Sequence, residues 1–187
     1  MATTGRVLLI GKRARVLNRL AEALRREGLQ VSQETDVDRV SNHVDASLVD
    51  VVALGRAVTG ARRESIVNAL RARNPSLRVV EGLAPITPLL VAQIQEALST
   101  PARESRIVSA AGIEPGDRRV MLTLRKAADV TVDLHRLDPL YRAHEERVHS
   151  GPLDSGRHIL RTKGRVIAGE RFLVVRADGQ TTVHAVA

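Results

Sequence analysis

Apolar positions change their period repeatedly along the first hundred residues of this chain. Arg6-Val7-Leu8-Leu9-Ile10 is a short apolar run that stops at Gly11, and after it Val16, Leu17, Leu20, Ala21 and Leu24 recur at the spacing of one helix face. Gly28 stands where a helix C-terminal glycine belongs. Leu29–Gln33 alternates like a half-exposed strand, and Thr35 or Asp36 can cap a second helix with the stripe Val37, Val40 and Val44. Leu48–Leu54 is a nearly continuous, β-branched apolar run, as expected of a strand covered on both faces. Ile66, Val67 and Leu70 mark a third helix closed by Asn74-Pro75, and Leu77–Val80 reads as a fourth strand. Leu90, Val91, Ile94, Ala97 and Leu98 form the stripe of a last helix, with Thr87 or Ile86 just ahead of Pro88 in its first turn. Four βα units in a row predict an α/β domain over residues 1–98, a four-stranded parallel sheet with flanking helices.

The helical period then vanishes. Ser99-Thr100-Pro101-Ala102-Arg103-Glu104-Ser105 is small, polar and broken by proline, which predicts a linker over 99–105. Residues 106–187 hold seven short alternating runs: 106–110, 120–124, 130–134, 141–148, 158–160, 172–176 and 182–186. Turn residues separate them, among them Glu114-Pro115-Gly116-Asp117, Asp138-Pro139 and Ser150-Gly151-Pro152. Asp178-Gly179 between the last two runs is a strong hairpin signal. Seven strands at this spacing predict a small antiparallel β-sandwich.

A parallel α/β sheet binds its ligands at the carboxyl ends of its strands. Here those ends carry Gly11-Lys12-Arg13, with Arg15 one turn on, then Gly55-Arg56, and Gly82. Gly11, Lys12, Arg13, Arg15, Gly55 and Arg56 are therefore the candidate anion- or partner-binding residues. Basic side chains at the start of a helix add to orphan N–H groups that already favour anions, although a solvated basic turn has the same sequence. A dinucleotide-binding fingerprint needs two further glycines after Gly11, where Arg13 and Val16 stand; only Glu34 lies near the place of a ribose-binding carboxylate.

No catalytic constellation is legible. There is no cysteine, no Gly-x-Ser-x-Gly elbow and no Walker-type phosphate loop. Five of six histidines fall in the second half, but His144 and His149 are five apart rather than four, which does not make a zinc-protease helix. Asp133 and His135 share a strand face, expected to point outward, where two ligands without a third make a poor metal site. Asp36, Asp38, Asp45 and Asp50 are explained by capping and strand-edge solvation. No enzyme, metal or cofactor is expected.

Composition narrows the partners. The formal charge is +8, but it comes from 26 Arg and 3 Lys spread evenly, each half of the chain carrying a net +4. An arginine skew of this kind fits a GC-rich genome, and mixed charge usually makes a solvated surface. Tyr141 and Phe172 are the only aromatics, too few for the stacking platforms of a single-strand nucleic-acid groove. These features argue against nucleic acid. Met1-Ala2-Thr3-Thr4 leads into a strand with no apolar run of signal-peptide or membrane-span length, so a cytoplasmic protein away from membranes is expected.

Two resemblances follow from these patterns. The α/β segment resembles the receiver domains of two-component response regulators, and more loosely other flavodoxin-type domains. In receivers the third strand runs from an acidic residue through apolar positions to the phosphoacceptor aspartate; here Asp50-Val51-Val52-Ala53-Leu54 leads to Gly55. The acidic pair that holds Mg²⁺ after the first strand is matched by Gly11-Lys12-Arg13, and the late lysine has no counterpart. The resemblance thus implies a degenerate receiver that cannot take a phosphoryl group by the usual route. The second part resembles the immunoglobulin-like domain of the flagellar hook-capping protein family, through Val130-Thr131-Val132-Asp133-Leu134, Ser155-Gly156-Arg157-His158 and Gly169-Glu170-Arg171-Phe172-Leu173-Val174. It implies an immunoglobulin-like interaction module from a bacterial protein. Together they imply a non-catalytic regulatory or scaffolding protein with a protein partner or self-association. The alternatives are a Rossmann-like protein that binds a nucleotide or another phosphate-containing ligand, and a DNA-binding regulator.

Overall fold

A computed structural model describes residues 5–37, 39–40, 44–82, 86–99, 105–113, 118–138, 140, 142–163 and 170–186. The chain divides into two compact units, Met1–Leu98 and Ser99–Ala187. Most of the expected linker, residues 100–104, lies outside the described residues, and Ser99 closes the last helix.

The first unit runs β1 (Arg6–Ile10), α1 (Ala14–Arg26), β2 (Gln30–Glu34), a 3-10 turn (Ala46–Leu48), β3 (Val51–Leu54), α2 (Gly60–Arg73), β4 (Arg78–Glu81) and α3 (Thr87–Ser99). Its four strands are parallel in the order β2-β1-β3-β4. Alternation along β1 sorts the core into two layers. Leu8 and Ile10 pack with Val52, Leu54, Ile66 and Leu70 on the face covered by α2. Val7 and Leu9 pack with Leu17, Leu20, Leu24, Val91 and Ile94 on the face covered by α1 and α3. Each such fully buried side chain contributes roughly 1.5–3 kcal/mol relative to exposure.

Three local details depart from, or refine, the expected pattern. The third strand begins at Val51 rather than Leu48, because Asp45 caps a 3-10 turn instead: its Oδ1 accepts from the Ser47 N–H at 3.0 Å, and Leu48 is left exposed. The second and fourth strands each begin one residue later than the apolar runs suggest. The expected helix around Val37, Val40 and Val44 falls partly outside the described residues, although Val37 and Val40 are buried in the α2-side core. Asn74, at the end of α2, donates to the carbonyls of Ala46 and Val49 at 3.1 and 2.8 Å, fixing the chain as it enters β3. Gly28 ends α1 with φ +81°, a conformation that costs glycine nothing.

The second unit is all β. Its strands are β5 (Val108–Ile113), β6 (Arg119–Leu124), β7 (Ala128–Leu137), β8 (Ala143–Leu153), β9 (Gly156–Arg161), β10 (Glu170–Ala177) and β11 (Gln180–Val186). Each overlaps one of the seven alternating runs, although β5 and β8 begin two residues later than their runs and extend further at the other end. They form two antiparallel sheets, β11-β10-β7-β8 and β5-β6-β9. Val130, Val132 and Leu134 of β7 and Leu173, Val175 and Ala177 of β10 share one core with Val120, Leu122 and Leu124 of β6. Asp178 and Gly179 have φ +43° and +80° and join Ala177 to Gln180 in a two-residue hairpin, the type I′ geometry that the dipeptide predicts. Asp178 also exchanges two hydrogen bonds with the backbone of Asp129, pinning that hairpin to the start of β7. The expected turn at 114–117, Pro139, Tyr141 and Gly169 lie outside the described residues.

Candidate functional site

The strand order 2-1-3-4 places a switch point between β1 and β3, where the connections leave in opposite directions. A cleft of about 620 Å³ opens there, at the carboxyl ends of β1, β3 and β4. Its floor is made of glycine. Gly11 follows β1, Gly55 follows β3 and Gly82 follows β4, and all three line the cleft. Their role is spatial rather than conformational. A Cβ on Gly55 would stand 3.4 Å from the Ile10 carbonyl oxygen and 3.6 Å from the Gly11 Cα, and one on Gly82 would stand 3.0 Å from Leu90.

The walls are apolar: Val16, Leu17 and Leu20 from α1, Ala53 and Ala57 around β3, and Leu90 from α3. The spacing of Val16 assigned it to the buried stripe of α1, whereas it is 46% exposed at the cleft. At the rim stand Lys12, Arg13 and Arg56, all exposed and none in an ion pair with a described residue. Arg13 is the N-cap of α1, and no side chain caps that helix; its first turn holds no acid. Of the six candidate residues, five therefore line the cleft. Arg15 sits on the first turn of α1, exposed and outside the lining.

Among the described lining residues there is no carboxylate, imidazole, hydroxyl or thiol. Several described carboxylates of the unit have partners of their own. Asp50 lies at the start of β3, at the opposite end of the strands, where its Oδ2 accepts from the Arg6 N–H at 2.8 Å and its Oδ1 from the Arg6 guanidinium at 3.0 Å. The bond from the Arg6 side chain holds the Asp50 carboxyl below the usual carboxylate range. Glu81 ends β4 beside an adjoining hollow lined also by Gly55, Arg56 and Gly82, and it is paired with Arg63. Asp45 caps the 3-10 turn, and Asp36 pairs with Arg39 at 3.2 Å. Asp38 lies outside the described residues.

In the second unit, Asp133 and His135 do share a face of β7, the one opposite Val132 and Leu134, and both are buried. Asp133 Oδ2 accepts from Arg176 at 2.9 Å, and Oδ1 accepts from Arg147. His135 is 1% exposed, and neither ring nitrogen has a hydrogen-bond partner among the described residues. Burial lowers its pKa, against the opposing pull of Glu145 and Asp133. Alternation alone placed this pair on an outward face, and nothing in it signalled burial. His144 pairs with Asp138 at 3.2 Å, while His149, His158 and His184 each meet a local oxygen, of Gly151, Asp154 and Thr182 respectively. No group of three or more potential metal ligands occurs among the described residues. No helix among them is long and apolar enough to cross a membrane.

Comparison with known proteins adds little. No protein-family model matches the chain, and no curated protein does. Among solved structures, an NAD kinase from Archaeoglobus fulgidus, crystallised in complex with ATP, is similar at a TM-score of 0.34 and 16% identity, over 96% of this chain and 83% of that one. A likeness at that level carries no argument about function.

Proposed function

We propose that this chain is a non-catalytic regulatory protein in which a receiver-like α/β unit recognises its partner at the switch-point cleft, coupled to an immunoglobulin-like interaction unit. The observation that carries the reading is the cleft's chemistry. Phosphoryl transfer of the receiver kind needs carboxylates at the carboxyl ends of the strands to hold Mg²⁺ and accept the phosphoryl group. Lys12, Arg13 and Gly55 occupy those positions, and the carboxylate of Asp50 is held at the far end of β3. What remains is an apolar hollow with a cationic rim, suited to binding and with no carboxylate or imidazole among its described lining residues. The strand order supports the second half of the reading. Numbered in the immunoglobulin manner, β11-β10-β7-β8 against β5-β6-β9 is G-F-C-C′ against A-B-E.

The test has two arms. Replacing Arg13 and Arg56 together by Glu in the chromosomal copy is expected to reproduce the phenotype of a deletion while the protein accumulates normally; wild-type behaviour would remove the cleft as the binding edge. In the second arm the full chain is melted with ATP, NAD, inorganic phosphate, and acetyl phosphate with Mg²⁺. The expected result is no phosphoryl adduct by intact mass and no saturable nucleotide shift beyond that of sulfate. A nucleotide at about a hundred times its Kd adds roughly 2.7 kcal/mol of stability. A shift of that size, lost in the Arg13→Glu variant, would replace this reading by a nucleotide-binding one, which the uncapped start of α1 beside Lys12 and Arg13 favours.

A further inference from the structure

Resting on the reading of the cleft as a binding edge, we infer that its occupant is a small amphiphilic anion: one carboxylate or phosphate-monoester head on a short hydrocarbon body. Two independent properties of the cleft select this chemistry. The first is the wall. Val16, Leu17, Leu20, Ala53 and Leu90 offer no hydrogen-bonding group, so a ligand's polar body would lose its hydration there without compensation. A hydrocarbon body loses nothing and gains burial. The bare floor at Gly11, Gly55 and Gly82 lets that body reach the strand ends, and the volume of about 620 Å³ is that of a small-molecule pocket.

The second property is the rim. Lys12, Arg13 and Arg56 face no carboxylate of the lining, and Glu81, which ends β4 nearby, is already held by Arg63. Three cations over an apolar hollow complement a single anionic head in contact with hydrocarbon. A nucleotide fits poorly by the same observations. Its phosphates would meet the rim, but its ribose and base would lie against Val16, Leu17, Leu20, Ala53 and Leu90, whose side chains carry no polar atom. Val16 completes the picture: an exposed valine at the mouth is the kind of apolar surface that a bound hydrocarbon would cover.

The experiment is a titration of the full chain, followed by amide chemical shifts, with octanoate, octyl phosphate, octylammonium, inorganic phosphate and ATP, each kept below its micellar range. Expected are saturable shifts from octanoate or octyl phosphate at Gly11, Gly55, Gly82 and Val16, with octylammonium weaker by about tenfold or more. Whichever of octanoate and octyl phosphate binds tighter identifies the head. Arg13→Glu with Arg56→Glu should weaken binding by at least about tenfold, and Val16→Ser, at an exposed position, by a few-fold. Octylammonium binding as tightly as octanoate would overturn the inference. So would shifts at these amides from ATP or inorganic phosphate with none from octanoate, while leaving the cleft a binding edge. Octanoate shifts that the variants do not alter would place the ligand elsewhere and overturn the inference, the edge being decided by the chromosomal variant. Silence from every probe would likewise overturn the inference alone.

Discussion

In the α/β unit Lys12, Arg13 and Arg56 stand at the rim of an apolar cleft with no carboxylate among its described lining residues, whereas in the all-β unit Arg147 and Arg176 converge on a single buried aspartate, Asp133. The difference follows from sheet architecture. A parallel sheet is covered on both faces, so its polar residues gather at strand ends, where the chain turns into a helix and the backbone leaves room for a ligand. An antiparallel sheet with one core leaves its other face to strand-borne charges, which sit opposite one another and can pair across strands: Arg147 lies opposite Asp133 in the register, and Arg176 is reached on the diagonal. Charge around Asp133 is therefore part of the fold. At the cleft rim Lys12, Arg13 and Arg56 stand exposed.

The sharpest way to break this comparison is to remove one charge from each place. Asp133→Ala leaves two arginines facing a buried gap and should cost about 1–3 kcal/mol, below the value for a fully buried pair because Arg147 and Arg176 are 55% and 36% exposed. Arg56→Ala should change stability by no more than about 0.5 kcal/mol. Urea denaturation of both variants gives the answer, and equal losses would show that the rim cations carry structural weight.

Glycine sharpens the same contrast at smaller magnitude. Gly179 has φ +80°, so Gly179→Ala forces a side chain into the left-handed region and should cost about 1–2 kcal/mol. Gly11 is not in that region, and a Cβ there would meet Leu17 at 3.4 Å, an ordinary contact. Gly11→Ala should leave the melting temperature unchanged or slightly raised, since it restricts the unfolded chain. A large loss at Gly11 would mean that the cleft floor is a strained turn and not a surface kept bare.

These two glycines also show what was legible in the sequence. Asp178-Gly179 names its own turn, because both residues must accept positive φ and few dipeptides can. The seven alternating runs gave the seven strands for a similar reason, since a period of two on one half-buried face has no helical rival. The candidate residues at Gly11–Arg13 and Gly55-Arg56 were legible because strand ends in a parallel sheet are places in a topology. The apolar wall was not. Val16 and Leu90 belong to helix stripes, and periodicity cannot tell a residue packed under a sheet from one left open beside its end. Burial of His135 was equally hidden, because alternation reports which face a residue is on and not how deeply that face is covered.

That hidden burial yields the last and gentlest way to separate the units. Desolvation lowers the pKa of both His135 and His184, with Arg106 adding to the effect at His184. The unfolded chain takes up protons at these positions near pH 6.5 while the folded one stays neutral, so below that pH the unfolded state binds more protons. The stability they allow is complete above about pH 6.5 and declines as the pH falls toward the lowered folded values. Two carboxylates of the first unit behave otherwise. Asp50 and Asp45 have lowered pKa values, from Arg6 and Ser47, so their contribution is lost only as the pH falls through the carboxylate range, near 4 and below. Amide exchange measured between about pH 6.5 and 5 should therefore show β7, β10 and β11 losing protection before β1 and β3 do, once the intrinsic pH dependence of exchange is removed. His135→Leu should flatten most of that early loss and leave the remainder to His184. If the variant keeps the wild-type slope, His135 takes up its proton in the fold as it does in the unfolded chain, and its neighbours Asp133 and Glu145 offset its burial.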